Sequence, residues 1–244
     1  MQIPSPKTFS ELVGYSPAAA DQPETHGTTV LAMRFDSGVI VMADRRATMG
    51  NLIMFDKAEK VFALDDSTVV AISGSFARSI EICRLLKHSF KYYRRMHLNE
   101  MSVEGKLQEI SKALSNNLGM AMNGIGVFVP ILATYDAKKD QFGVYFFDTA
   151  GARFENGQFA AAGSGSERIR GIFDYISETV GEFESRSLVD VLTDGLKMLR
   201  IAADLDSATG GISKNPPVIR VLTKEGNHPI DAKVLEKALK AAAK

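Results

Sequence analysis

The order of apolar and polar positions divides the chain into stretches of two kinds. Residues 28–35 (TTVLAMRF) and 39–44 (VIVMAD) are rich in β-formers and flank Asp36-Ser37-Gly38, a hairpin signal. KVFAL (60–64) and STVVAISG (67–74) repeat the arrangement around Asp65-Asp66. The period then changes. Phe76, Ile80, Cys83, Leu86, Phe90 and Tyr93 recur at three and four, the apolar stripe of a helix, and Val103, Leu107, Ile110, Leu114 and Leu118 make a second stripe. VFVPILATYD (127–136) and QFGVYFFDTAG (141–151) predict a long hairpin, and FAAAGSG (159–165) a short strand. Helices are predicted over 167–180 and 188–203, the second opened by Ser187 and Asp190 as a capping pair. PPVIRVLTKEG (216–226) reads as a final strand, and DAKVLEKALKAAAK (231–244) as a terminal helix of strong helix formers.

Strands grouped before helices argue against alternating βαβ units. The order predicts an α+β fold: a four-layer αββα sandwich of two stacked antiparallel sheets with helix pairs on both outer faces. It forms a single domain over residues 28–244. Nothing repeats at the spacing of solenoids or propellers. Residues 1–27 differ in kind. They hold Pro4, Pro6, Pro17 and Pro23, half of the chain's 8 prolines, and one short apolar patch at Phe9, Leu12 and Val13. That composition predicts a flexible arm.

Composition narrows the function classes. With 244 residues, 45% hydrophobic and 24% charged, the chain has enough apolar surface for a substantial core. Lys+Arg and Asp+Glu both total 29, so no net field directs it to nucleic acid or an anionic membrane. The one cysteine, Cys83, excludes an internal disulfide and fits a reducing compartment. His26, His88, His97 and His228 lack metal-ligand spacing, so neither a metal nor another cofactor is expected. There is no secretory apolar core and no membrane-length apolar run. A soluble, cytoplasmic protein is the expectation.

The chain has no Gly-x-Ser-x-Gly elbow, no His-Glu-x-x-His and no Cys-x-x-Cys pair. One nucleophile needs no histidine. If the Gly27–Thr28 bond is cut, Thr28 carries a hydroxyl and a free α-amine, and an amine of pKa about 8 can take the hydroxyl proton directly or through one water. Gly27 leaves its carbonyl open to attack. On its own, Gly-Thr-Thr equally suits an ordinary strand start. Asp44 at the end of the second strand and Lys60 at the start of the third add a carboxylate and an ammonium at matching strand ends. Either residue alone would be a turn former or a solvated lysine. Together, a buried Lys⁺ would favour the deprotonated hydroxyl while Asp44 keeps that lysine charged. Gly74, where a strand turns into a helix, offers an unhindered N–H as an oxyanion donor. GSGSE (163–167) suits either a plain strand-to-helix turn or a phosphate site, and DSATGG (206–211) either a helix stop or a cation-binding turn.

In chain order, Gly-Thr-Thr, Asp-Arg-Arg-x-Thr, Lys-Val, Ser-Gly, Gly-Ser-Gly-Ser and Asp-x-x-Thr-Gly resemble the β-subunits of the 20S proteasome, bacterial type, through most of residues 28–222. The resemblance implies an N-terminal-nucleophile (Ntn) hydrolase fold. It also implies a threonine endopeptidase that degrades unfolded proteins inside a ring chamber. Thr28 would be the nucleophile, exposed by autocatalytic removal of residues 1–27 as a propeptide. Asp44 and Lys60 would complete the catalytic set, Gly74 would supply the oxyanion N–H, and Ser164, Asp206 and Thr209 would orient the α-amine and its water. Arg46 and Thr48 match the segment along which a peptide lies as an added strand. Ala47, Ala58, Phe62, Ile72, Phe76 and Ile80 would line an apolar specificity pocket without Asp or Glu, so cleavage after hydrophobic residues is expected. The implied partners are proteasome α-subunits and other β-subunits in four stacked seven-membered rings, two α and two β, with an ATP-dependent unfoldase or other activator. Three alternatives stand beside this. They are a non-catalytic ring subunit, a two-ring Ntn protease or small-amide hydrolase, and a phosphate-binding module built on GSGSE.

Overall fold

A computed structural model describes residues 27–50 and 52–242. Residues 1–26 of the expected 1–27 arm and the last two residues of the expected terminal helix lie outside them. The strands are β1 (Val30–Phe35), β2 (Gly38–Ala43), β3 (Ala47–Met49), β4 (Leu52–Phe55), β5 (Val61–Asp65), β6 (Thr68–Ala71), β7 (Ile131–Asp136), β8 (Gln141–Phe147), β9 (Arg153–Asn156), β10 (Phe159–Ala162), β11 (Val218–Thr223) and β12 (Gly226–Pro229). The helices are α1 (Phe76–His97), α2 (Val103–Met122), α3 (Ser166–Thr179), α4 (Leu188–Leu205) and α5 (Ala232–Ala242).

One five-stranded sheet has the order β10-β1-β2-β11-β12 and the other β5-β6-β7-β8-β9; every pairing in both is antiparallel. The pleat of β1 shows how the layers form. Val30 and Ala32 face the second sheet, whereas Leu31, Met33 and Phe35 face the helices. The inter-sheet core is built from valines and alanines, among them Val41, Ala43, Val69, Ala71 and Ala133. Outside the first sheet, α3, α4 and α5 bury Ile169, Phe173, Leu192, Leu196 and Ala238. Outside the second, α1 and α2 bury Cys83, Leu86, Leu107, Ile110 and Leu114. The αββα sandwich is therefore present, with three helices rather than a pair on one face.

Local differences from the sequence expectation have physical causes. β1 starts at Val30, not Thr28, because the N–H of Thr29 bonds the Asp44 side chain instead of a ladder carbonyl. β3 and β4 form a separate two-stranded sheet that was not expected, and all four residues of β4 are exposed. β9 and β12 were also missed; both are short strands at sheet edges, and β12 ends on Pro229, a residue edges tolerate. The expected Ser187 cap is in place, its Oγ accepting from Asp190 N–H at 3.3 Å. No helix among the described residues is long and apolar enough to cross a membrane.

Leu196 is wholly buried between α4 and the first sheet. Leu196→Ala should lower the unfolding free energy by about 2–5 kcal/mol, read from urea denaturation.

Candidate active site

β1 and β2 are hydrogen-bonded neighbours, so the start of one and the end of the other lie side by side. Thr28 and Asp44 meet there. β5 contributes the residue before its first, Lys60, whose carbonyl accepts from Ile72 N–H at 2.9 Å just beyond β6. Thr28, Asp44 and Lys60 are all buried, the last two to 1% exposure each.

The Asp44 carboxylate organises this corner. Oδ1 accepts from Lys60 Nζ at 2.9 Å and from Thr29 N–H at 2.8 Å. Oδ2 accepts from the N–H groups of Arg46 and Gly210, both at 2.8 Å. Lys60 Nζ also reaches the Gly27 carbonyl oxygen at 3.4 Å. Burial pushes the Lys60 ammonium below its ordinary value of 10.5, and the opposing charge and hydrogen bond of Asp44 do not fully restore it. Such a lysine gives up a proton more readily than a solvated one.

The Thr28 hydroxyl donates to the Gly27 carbonyl oxygen at 2.5 Å. No room remains around Gly27: a Cβ there would lie 2.4 Å from Thr48 Oγ1 and 2.5 Å from Ala208 Cβ. On its other side Thr28 N–H points to Ser164 Oγ at 3.4 Å. Ser164 and Thr209 both donate to Asp206 Oδ2 at 2.6 Å, and Thr29 Oγ1 lies 2.7 Å from Thr209 Oγ1. The site thus has a sealed, charged half at Asp44 and Lys60, and a hydroxyl-rich half that opens to solvent at Ser164. Burial pushes the Asp206 carboxyl up, but the hydrogen bonds from Ser164, Thr209 and Ala208 N–H outweigh it. The group ends below 3.8.

The structure brings Thr28, Asp44, Lys60, Ser164, Asp206 and Thr209 into one hydrogen-bonded set. Gly74 stands apart from it, with no hydrogen bond to Gly27 among the described residues. Its φ is +99°, and the bridge that pairs it with Phe128 runs through Ser75 N–H and Val129 N–H, which leaves the Gly74 N–H outside that bridge. The Arg46 side chain is engaged within the chain. Its guanidinium turns to Asp56 and to carbonyls of the 206–209 turn. Its main chain, with Thr48 on β3, flanks a strand edge that β4 leaves unpaired among the described residues.

Phe62, Phe76 and Ile80 line a cavity of about 570 Å³ between β5 and α1. Ile72 is buried in the cluster against which Phe62 and Ile80 pack, Ala58 is buried, and Ala47 sits on β3. Glu59, Arg84, Lys87 and Arg220 also line that cavity. Glu59 is paired with Arg45 Nη1 at 2.5 Å.

Sequence reasoning also missed the part played by Gly163. Its φ is +92°, and a Cβ would fall 2.0 Å from the Thr28 carbonyl oxygen, so the loop closes on Thr28 only through glycine. The Gly-Ser-Gly run before a helix was its one visible signal.

Comparison with known proteins gives a consistent family. The family described as "Proteasome subunit" matches residues 24–212. "Proteasome subunit beta" of Streptomyces griseus is 35% identical over 205 residues, covering 82% of this chain and 70% of the relative. The same-named protein of Streptosporangium roseum is 36% identical over 206 residues, 83% and 71% of the two chains. That of Acidothermus cellulolyticus is 36% identical over 222 residues, 86% and 73%.

The depressed Asp206 pKa fixes the sign of a pH effect. Its carboxylate contributes stability that is complete above 3.8 and is lost as pH falls through the folded value. The urea midpoints of the parent and Asp206→Asn should therefore differ by a constant amount above about pH 5 and converge in stronger acid.

Proposed function

The chain belongs to the proteasome subunit family as a core β-subunit, a protease of the Ntn-hydrolase type that assembles with other subunits, and from that premise we propose that Thr28 is its catalytic nucleophile. The observation that carries the proposal is the contact of Thr28 Oγ1 with the Gly27 carbonyl oxygen at 2.5 Å, with Lys60 Nζ on the same oxygen at 3.4 Å.

The reaction proceeds in two stages. In the precursor, Thr28 Oγ attacks the Gly27 carbonyl carbon and the C–N bond breaks. The acyl group moves from nitrogen to oxygen, and the hydroxyl proton ends on the released amine. Water then hydrolyses the ester, freeing residues 1–27 as a propeptide with a carboxylate on Gly27. In the mature subunit the Thr28 amine, oriented by Ser164, Asp206 and Thr209, accepts the hydroxyl proton as Oγ attacks a peptide carbonyl. The leaving amine takes that proton. Water resolves the acyl-enzyme and restores the hydroxyl. The positive charge of Lys60, fixed by Asp44, stabilises the developing alkoxide, and Gly74 N–H receives the oxyanion.

The substrate is an unfolded polypeptide laid along β3 as an added strand beside Arg46 and Thr48. Its side chain on the acyl side enters the cavity of Phe62, Phe76 and Ile80, which favours hydrophobic residues. The working particle is four stacked seven-membered rings, two of α-subunits and two of β-subunits, served by an ATP-dependent unfoldase or other activator in the cytoplasm.

Thr28→Ala should leave residues 1–27 attached by intact mass and lower peptide hydrolysis by at least about a thousandfold. An active variant, or one that still loses its leader, overturns the assignment. Among fluorogenic peptides the parent should cleave after Leu or Phe faster than after Arg, and the reverse order rejects the pocket.

A further inference from the structure

Arg46 joins two parts of the chain that share no sheet. Nε donates to Asp56 Oδ1 at 3.0 Å, and Nη1 donates to the carbonyls of Ser207 at 3.0 Å and Thr209 at 3.3 Å. Asp56 follows β4 directly, at the foot of the exposed hairpin. Ser207 and Thr209 lie in the turn whose first residue, Asp206, accepts from Ser164 and Thr209, and Ser164 faces the Thr28 nitrogen.

We propose that Asp56 is a positioning residue for hydrolysis at Thr28. Acting through Arg46, it holds the 206–209 turn at the distance where Ser164 meets the nucleophile's nitrogen. The inference rests on the reading of Thr28 as nucleophile. A guanidinium is a planar fork, so an acceptor on Nε and two on Nη1 fix its plane and with it the direction of both carbonyls. Without the Asp56 carboxylate, Arg46 keeps the carbonyls but loses the anchor that sets its rotation. Arg46 N–H also bonds Asp44 Oδ2, as does Gly210 N–H one residue beyond the turn, so the sealed half of the site meets the open half at this residue. Both side chains are half-buried. The geometry places Asp56 away from the reacting atoms; its effect is on rate, not on peptide affinity.

The test uses the full chain assembled with its partner subunits, with rates normalised to intact particle by native mass. Asp56→Asn should lower kcat for a hydrophobic fluorogenic peptide about 10- to 100-fold, with KM within about twofold of the parent. Asp56→Glu should recover kcat to within about threefold of the parent, since the carboxylate is restored. Arg46→Lys keeps the charge but cannot bridge carboxylate and carbonyls, and should lose kcat to a similar degree. Adding Asp56→Asn to Arg46→Lys should cost little more, because both changes break one path. Unchanged kcat in Asp56→Asn, a rise in KM alone, or additive losses in the double variant would overturn the proposal. Should Asp56→Asn not assemble, full kcat in Arg46→Lys would overturn it equally. An active Thr28→Ala particle would defeat the reading beneath it, and the Asp56 variants would not.

Discussion

A single buried carboxylate holds the corner around Thr28 together. Asp44 takes four donors from separated parts of the chain: the start of β1, the segment after β2, the residue before β5 and the glycine after the 206–209 turn. A carboxylate withdrawn from water is tolerated only when its lone pairs are filled, and each buried donor needs it in return. The mutual dependence is strict. Loss of this one side chain would strand an ammonium and three N–H groups at once.

The fold supplies the geometry this carboxylate exploits. Antiparallel pairing brings the β1 start beside the β2 end, and stacking of the sheets brings β5 over them. Alanine and valine across the inter-sheet layer let the two sheets approach closely enough for Lys60 to reach Asp44. Rigidity and access are then divided. The charged half is sealed by the strands, whereas the hydroxyl half hangs on a loop and a turn and reaches water at Ser164.

Much of this was legible in the sequence, for physical reasons that differ by element. Alternation in β1 and β2 and the three-four spacing of α1 and α2 reflect one-sided burial, which leaves a local trace. The placement of Thr28, Asp44 and Lys60 followed from strand ends. β4 was illegible because Leu52, Ile53, Met54 and Phe55 are all exposed, so burial imposes no alternation on them. β9 and β12 are four-residue edge strands with too few positions to show a period. Arg46 carried no local signal of its real engagement, since Ser207 lies 161 residues away. The pocket residues followed from the resemblance and not from a period, so nothing local signalled that Glu59 lines the cavity beside Phe62.

The uncovered strand β4 has a cost before any chemistry begins. Four successive bulky apolar side chains on a ribbon with free backbone edges form an adhesive strip, the kind that templates intermolecular pairing. A copy left without neighbours carries this strip into water, and the hairpin is where unwanted self-association would begin.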